Sequence, residues 1–489
     1  MLKKARRKGY YVPNYKNAGR IHSAYNPETE AEKLIPSQKT EHRKFIVLGA
    51  GLGYVLNKLA EKFENSEVLL FEPYPELLRE GAKKGIWSPE NFKKFELIEP
   101  GHKEILPELG DFIPLEEFDC FTLVGWPDYQ KKNSVFFKKA TTAIRRLRQY
   151  YSVNLNTLRE QGSVWLTNLR ENFKHISHSE KIIFPENINP VAVVAAGPSL
   201  DKQLSWLKKN TEDLFIICVN TAGPILKKHR INVDIHVAMD ARDVIAEDIF
   251  YSKVNHLLLS PFVKPEIIGN NHFSFSLLAL QSPLTEWMLS APFLPRGVSA
   301  GSVTVTVLDY LLNSTEQPVF LLGGDMEVSG NRYYARGTHR EDKLVTRCSR
   351  FDSLPGLFLN WQHLEKNMGQ QENPRLKDER EWLNMQAVNK NRLFIPPPRP
   401  RWWQGTKQLP RPQKSGGRVT FEKINPDILE FWLKKQATLL GKARMGKKTS
   451  PGWKKFCFWI NQICENPEEE LNSWENLLQN PPIARHCPT

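Results

Sequence analysis

The chain has 489 residues, too many for one ordinary hydrophobic core, so two or three domains are expected. Hydrophobic residues make up 40% and aromatic residues 11%, enough to build real cores, and no apolar run reaches the roughly 18 residues of a membrane span. Net charge is +14, from 68 basic against 54 acidic residues. That charge suits an acidic partner, but no recognition helix or zinc-finger pattern accompanies it, so nucleic acid is not expected.

The opening "MLKKARRKGYYVPNYK" carries the charge of a signal peptide without its apolar segment. Cys120, Cys218, Cys348, Cys457, Cys464 and Cys487 are scattered and form no CxxC pair, which fits neither a disulfide framework nor a zinc site. A reducing cytoplasm with no transmembrane segment is the expectation.

In "KFIVLGAGLGYVLNKLAEKF", Phe45 to Leu48 reads as a strand, and Gly49, Gly51 and Gly53 as a tight turn into a helix. "EVLLFEPYPELL" supplies a second strand ending at Glu72. Glycines let the backbone approach a ligand and the carboxylate accepts from sugar hydroxyls, the layout of a Rossmann-like unit. A third strand is expected within "FDCFTLVGWPDY". A long helical stretch follows, with Trp165, Leu169 and Phe173 at helical spacing as core packing.

From Val191 the chain alternates strand and helix: "VAVVAA" into a Gly197-Pro198-Ser199 turn, "LFIICVN" ending at Asn220, and "VDIHVAMD" ending at Asp240. It continues through a helix opened by "GVSAGSVTVTVLDYLL" to "PVFLLGGDM" ending at Asp325. Such alternation implies βαβ units on a parallel sheet, whose ligands gather at the strands' carboxyl ends. Those ends carry Gly197, Pro198, Ser199, Asn220, Thr221, Asp240, Gly301, Ser302 and Asp325. Taken singly, serine, asparagine and aspartate belong at helix starts as caps. Five such ends on one sheet point instead to a nucleotide site, with Ser199 and Ser302 on phosphate and Asn220 or Asp240 on base or ribose.

The loop "GGDMEVSGNRYYARGTH" gathers Tyr333, Tyr334, Arg336 and His339, with His339 placed to take a proton from a hydroxyl nucleophile. Asp240, Asp243 and Asp325 are the carboxylates a magnesium ion would use. Arg242 stands between the first two, so a metal site is not expected. "FIPPPRPRWWQGTKQLPRPQKSGGR" reads as a connector, and "PDILEFWLKKQATLLGKA" and "WKKFCFWINQIC" as closing helices. The fold class is therefore α/β: a Rossmann-like domain over 1–150, a parallel-sheet α/β domain over 151–365, and a connector with a mostly helical region over 366–489.

The ordered motifs "VAVVAAGPSLDKQLSWL", "IICVNTAGPILKKHRINVDIHVAMDARD", "AGSVTVTVLDYLL" and "PVFLLGGDMEVSG…TH" resemble the motility-associated factor (Maf) flagellin glycosyltransferases, as do "RIHSAYNPETEAEKLI" and "FIVLGAGLGYVLNKL". The resemblance covers roughly residues 20–345. It implies a central domain similar to bacterial sialyltransferases, a CMP-activated nonulosonic acid (pseudaminic or legionaminic acid type) as donor, and Ser or Thr hydroxyls of flagellin as acceptor. By position it assigns Gly197, Pro198, Ser199, Asn220, Thr221, Asp240, Gly301 and Ser302 to donor binding, and Asp325, Tyr333 and His339 to catalysis. No further cofactor is implied, though a donor phosphate is compatible with magnesium.

The same domain is similar to an archaeal 6-hydroxymethylpterin diphosphokinase, labelled MptE-like. That alternative uses ATP and magnesium on Asp240 and Asp325. Residues 45 to 80 resemble an S-adenosylmethionine-dependent methyltransferase without its later motif, which favours a structural Rossmann-like domain. A non-enzymatic alternative is a flagellin-binding assembly factor docking through Trp402 and Trp403.

Overall fold

A computed structural model describes residues 2–4, 10–13, 21–36, 43–102, 105–117, 120–241, 255–269, 273–297, 302–327, 332, 334–350, 353, 357, 374–447 and 449–480. The chain divides into two compact units, Met1–Leu158 and Arg159–Thr489.

In the first unit, four parallel strands form a sheet: β1 (Lys44–Leu48), β2 (Glu67–Phe71), β3 (Lys94–Ile98) and β4 (Phe121–Gly125), in the order β3-β2-β1-β4. β1 and β2 are buried over four of their five residues, as a parallel sheet covered on both faces requires. Helices α1 (Tyr54–Lys62), α2 (Pro75–Lys83) and α3 (Ile105–Phe112) connect them. Helix α4 (Ser134–Phe173) carries the chain from the first unit into the second.

The glycine turn after β1 is folded as the sequence predicts, with Gly49, Gly51 and Gly53 all left-handed. Its occupant is the protein itself. The Glu72 carboxylate, fully buried, accepts from the N–H groups of Ala50 (2.7 Å) and Gly51 (2.8 Å) and from the Tyr129 hydroxyl. His22 Nε2 accepts from the Leu52 N–H at 2.9 Å, and a Cβ on Gly49 would overlap the Tyr129 ring. The carboxylate expected to receive a ribose thus holds the turn that was expected to receive a phosphate.

The second unit is built on seven parallel strands: β5 (Val191–Val194), β6 (Phe215–Val219), β7 (Ile235–Ala238), β8 (His256–Leu259), β9 (Ser274–Leu277), β10 (Val319–Leu322) and β11 (Leu393–Phe394). Their order is β9-β8-β7-β6-β5-β10-β11. Every residue of β5, β7, β8 and β10 is buried; β5 and β10 read as unbroken apolar runs, while β7 and β8 each admit one histidine, His236 and His256. Helices α5 (Leu200–Asn210) and α6 (Gly223–Lys228) bury Leu200, Leu204, Leu207, Ile225 and Leu226 in one cluster with Val194, Cys218 and Phe320. Helix α7 (Val303–Ser314) packs against β5 and β7 and leads back to β10. The helices α8 (His339–Val345) and α9 (Pro374–Lys390) lie between β10 and β11 in the chain.

The closing helices α10 (Pro426–Arg444), α11 (Pro451–Ile463) and α12 (Pro467–Gln479) have a tryptophan core. Trp453 stacks on Trp287 at 4.5 Å, and Trp432 and Trp474 pack on the same indole. Gly452 leaves room for this, since a Cβ there would stand 2.7 Å from the Trp287 nitrogen. The expected stripe on α4 is core: Leu169 and Phe173 are buried, and Trp165 stacks on Phe262.

Three buried histidines give the fold an acid limit. Burial pushes His22 and His256 down to about 3 and His236 down to about 4. His256 lies between the hydroxyls of Ser274 and Ser276, each at 2.8 Å, and stacks on Phe421. The Glu180 carboxylate, 3.6 Å from its Nδ1, is too far for a hydrogen bond and does not outweigh burial.

All three rings are neutral in the fold and take up a proton on unfolding once the pH drops below the free value of about 6.5. Stability is therefore full above that pH and falls toward pH 4, by about 1.4 kcal/mol per pH unit for each histidine. Asp234 and Asp325, raised by burial, act in the opposite sense above their unfolded values and reduce the slope. The urea midpoint should drop clearly between pH 6.5 and 4.5; a flat profile would show that these rings are not sealed.

Candidate functional site

From β5 the chain runs outward one way through β6 to β9, while β10 and β11 lie on the other side of β5. In an open parallel sheet the crevice outside the carboxyl ends at such a switch point is where ligands bind. Here it lies between the Gly197-Pro198-Ser199 turn after β5 and Gly323-Gly324-Asp325 after β10.

The two loops are tied across the crevice. Gly197 N–H donates to the Gly323 carbonyl at 2.8 Å. Ser199 donates twice to Asp325 Oδ2, from its N–H at 3.0 Å and its hydroxyl at 2.9 Å. Burial pushes the Asp325 carboxyl above its ordinary range, and the two Ser199 donors pull against that rise. Gly197 is required for space, because a Cβ there would overlap both the Asp325 carboxylate and the Gly323 carbonyl.

The next loop folds onto the same edge. Ala335 N–H donates to the Ala196 carbonyl at 2.8 Å, and Arg336 N–H to Asp201 Oδ1 at 2.9 Å. Thr338 caps α8 by accepting from the Glu341 N–H at 3.2 Å, and the Glu341 carboxylate reaches back past the cap to accept from the Gly337 N–H at 2.6 Å. His339 therefore opens α8, the Arg340 guanidinium covers the Tyr334 ring, and Asp325 stands across the crevice from Ser199.

The predicted site residues separate into groups. Gly197, Pro198, Ser199 and Asp325 meet at the switch point, with the loop bearing His339 attached to it. Asn220 and Thr221 form the turn after β6, one strand away. Asp240 follows β7, three strand spacings or about 14 Å from β10 at the level of the sheet. One magnesium ion, which holds oxygens at about 2.1 Å, does not bridge two strand ends so far apart. Among the described residues, no group of three His, Cys, Asp or Glu side chains is arranged to hold a metal.

Ser302 is the cap that its residue type suggests, accepting from the Val305 N–H at 3.3 Å at the start of α7. Ser199, in helical backbone conformation, makes no cap bond of its own and turns to Asp325. Gly301, Tyr333 and Asp243 lie outside the described residues.

Two further residues complete the construction: Gln203, not singled out from the sequence, and Trp402, expected from the sequence only as part of a docking surface. Gln203, fully buried on α5, accepts from the Gly323 N–H at 2.8 Å, stands 3.2 Å from the Ser199 hydroxyl whose proton is shared with Asp325, and donates to the carbonyls of Pro396 (2.7 Å) and Pro398 (3.0 Å). Trp402 donates from its indole N–H to the Asp325 carbonyl at 2.7 Å. The segment expected to be a connector is thus fixed to the crevice, after Leu393–Phe394 has joined the sheet as β11.

Residues 163–331 match the family model described as 6-hydroxymethylpterin diphosphokinase MptE-like. Over the whole chain, the structure resembles that of the MAf glycosyltransferase from Magnetospirillum magneticum AMB-1, with a TM-score of 0.50 and 13% identity, covering 98% of this chain and 90% of that one. The chain has the Maf glycosyltransferase fold with an MptE-like domain at its centre. An uncharacterized protein of Treponema pallidum (strain Nichols) is 24% identical over 198 residues. That alignment covers 38% of this chain and 66% of the relative, just short of two thirds of its length. Residues 163–331 include both sides of the crevice, Gly197–Ser199 and Gly323–Asp325. No helix among the described residues is long and apolar enough to cross a membrane.

Proposed function

We propose that the protein is a glycosyltransferase that moves a nonulosonic acid from a CMP-activated donor to Ser or Thr hydroxyls of flagellin. The crevice between Gly197–Ser199 and Gly323–Asp325 carries this reading, because it stands at the switch point of the MptE-like sheet in a Maf-type fold. The acceptor hydroxyl attacks the anomeric carbon, the bond to the CMP phosphate oxygen breaks, and the hydroxyl proton passes to a base. Little acid–base help is needed, since the leaving phosphate already carries its charge and the sugar develops oxocarbenium character. His339 is the base in this scheme. Asp325, already accepting two bonds from Ser199, positions the turn.

A second reading follows from the family model's description: a diphosphokinase using ATP and magnesium. The engagement of Asp325 by Ser199 and the sheet separation of Asp240 from it argue against their sharing a metal. Thermal-shift titration of the full chain separates the two readings, because a ligand bound only by the folded state raises Tm. A rise with CMP, and a gain in flagellin mass on incubation with a CMP-nonulosonic acid, is expected. A rise with ATP and magnesium alone would overturn the proposal, and a rise with S-adenosylmethionine would contradict the closed glycine turn of the first unit.

A further inference from the structure

We infer that the Trp402 indole is a stacking platform for a flat heterocycle, and that in the proposed glycosyltransferase this ring is the cytosine of the donor. The choice of cytosine rests on that reading, whereas the platform itself does not.

The polar donors around the crevice are already spent on the protein. The Gly197 N–H goes to the Gly323 carbonyl, the Gly323 N–H to Gln203, and both Ser199 donors to Asp325. Trp402 brings a different kind of surface to the same place. Its own side chain reaches the turn after β10, where Nε1–H donates to the Asp325 carbonyl at 2.7 Å.

The two neighbouring tryptophans differ in burial. Trp403 is buried beside Gly405, where a Cβ would overlap its six-membered ring, while Trp402 stays half-buried. Their rings meet edge to face, 6.2 Å apart and inclined at 76°, and among the described residues Trp402 has no other ring against it. No aromatic side chain there lies flat on either face of its indole. Apolar surface left partly in water beside a crevice gains by being covered, and a planar heterocycle is the shape that covers an indole.

The platform is braced in advance of any ligand. Asn384 on α9 donates to the Trp402 carbonyl at 3.1 Å and accepts from the Gln404 N–H at 2.9 Å. Arg399 closes the loop by donating to the carbonyls of Ile395 (2.7 Å) and Lys407 (2.9 Å), and Gln203 holds those of Pro396 and Pro398. An indole fixed through both its ring nitrogen and its main chain has little freedom left to lose when a ring settles on it. Trp402 lies outside residues 163–331, so the platform is supplied by the chain that follows the MptE-like region.

Isothermal titration calorimetry on the full chain tests this with CMP, ATP plus magnesium, 6-hydroxymethylpterin, and ribose 5-phosphate, which carries no base. Wild type is compared with Trp402→Leu and Trp402→Phe. Both variants give up the hydrogen bond to Asp325, but only phenylalanine keeps an aromatic face. Affinity for CMP should fall about tenfold or more in Trp402→Leu, toward that of ribose 5-phosphate, and Trp402→Phe should stay closer to wild type than to Trp402→Leu.

Equal losses in the two variants would show that Trp402 holds the loop rather than the ligand, and would overturn the platform. Unchanged CMP affinity in Trp402→Leu, or wild-type binding of ribose 5-phosphate as tight as that of CMP, would overturn it too. Wild-type binding of ATP or the pterin but not CMP, with the same ranking of variants, would overturn the donor's identity and leave the platform standing. A wild-type protein that binds none of the three ring-bearing compounds would overturn both.

Discussion

Replacing Gln203 by leucine is expected to lower the stability of the second unit by about 3 kcal/mol and its Tm by about 5 °C. Leucine matches the volume and keeps the apolar contacts of α5, so the loss comes from hydrogen bonding alone. The Gly323 N–H and the Pro396 carbonyl remain buried without their partner, and each such group costs about 1–3 kcal/mol. The Pro398 carbonyl, nearer solvent, recovers a water and contributes little.

Gln203→Glu separates this account from simple crowding. Glutamate retains an acceptor for Gly323 but turns an unpaired carboxylate toward two carbonyls, so it should be at least as damaging as leucine. Scanning calorimetry of both variants is the measurement. A Tm within a degree of wild type for Gln203→Leu would mean that the segment 395–402 is not held by this side chain. The same variant should also weaken ligand binding, because the amide ties the β10 turn to the Pro396–Pro398 segment beside the β5 turn.

Much of this architecture is legible in the sequence, and the parts that are not share a physical cause. Strands such as Val191–Val194 and Val319–Leu322 announce themselves because both of their faces are buried, so every residue is apolar. Lys94–Ile98 escapes notice for the opposite reason: this edge strand leaves most of its residues partly exposed and admits Lys94 and Glu96.

Residue type narrows a role without deciding it. Ser302 and Ser199 both precede helices, yet Ser302 sits in extended backbone and caps, while Ser199 sits in helical backbone and binds Asp325. Glu72 was recognisable as the acid closing β2, but not as the group that fills its own glycine turn. Gln203 was invisible as a site residue, and Trp402 readable only as part of a docking surface, because Pro396 and Gly323 lie 193 and 120 residues from the one and Asp325 lies 77 residues from the other. His236 hides inside an apolar strand. It is buried, and burial pushes its pKa down against the opposing pull of the nearby Asn220 main chain.

Gly197→Ala tests the crevice most severely, and its expected effect exceeds that of any other single methyl group considered. The new Cβ would overlap the Asp325 carboxylate and the Gly323 carbonyl together. Neither can withdraw. Asp325 is tied to Ser199 across the crevice, and Gly323 is left-handed with no room for a Cβ beside the Ala195 carbonyl. The strand ends must therefore part, at a cost of about 3 kcal/mol or more, and the Gly197 to Gly323 and Ser199 to Asp325 hydrogen bonds go with them. Affinity for the donor should fall by about a hundredfold if two or more such contacts are lost.

Gly416→Ala provides the matching control. Gly416 is left-handed, at a φ of 83°, but a Cβ there has nothing within 4 Å, so alanine meets only backbone strain of about 1 kcal/mol. If Gly197→Ala proves no worse than Gly416→Ala in urea unfolding, the two turns are not in contact across β5 and β10. If it is far worse and also abolishes binding, the space reserved by Gly197 is what keeps the site closed on the sheet and open to its ligand.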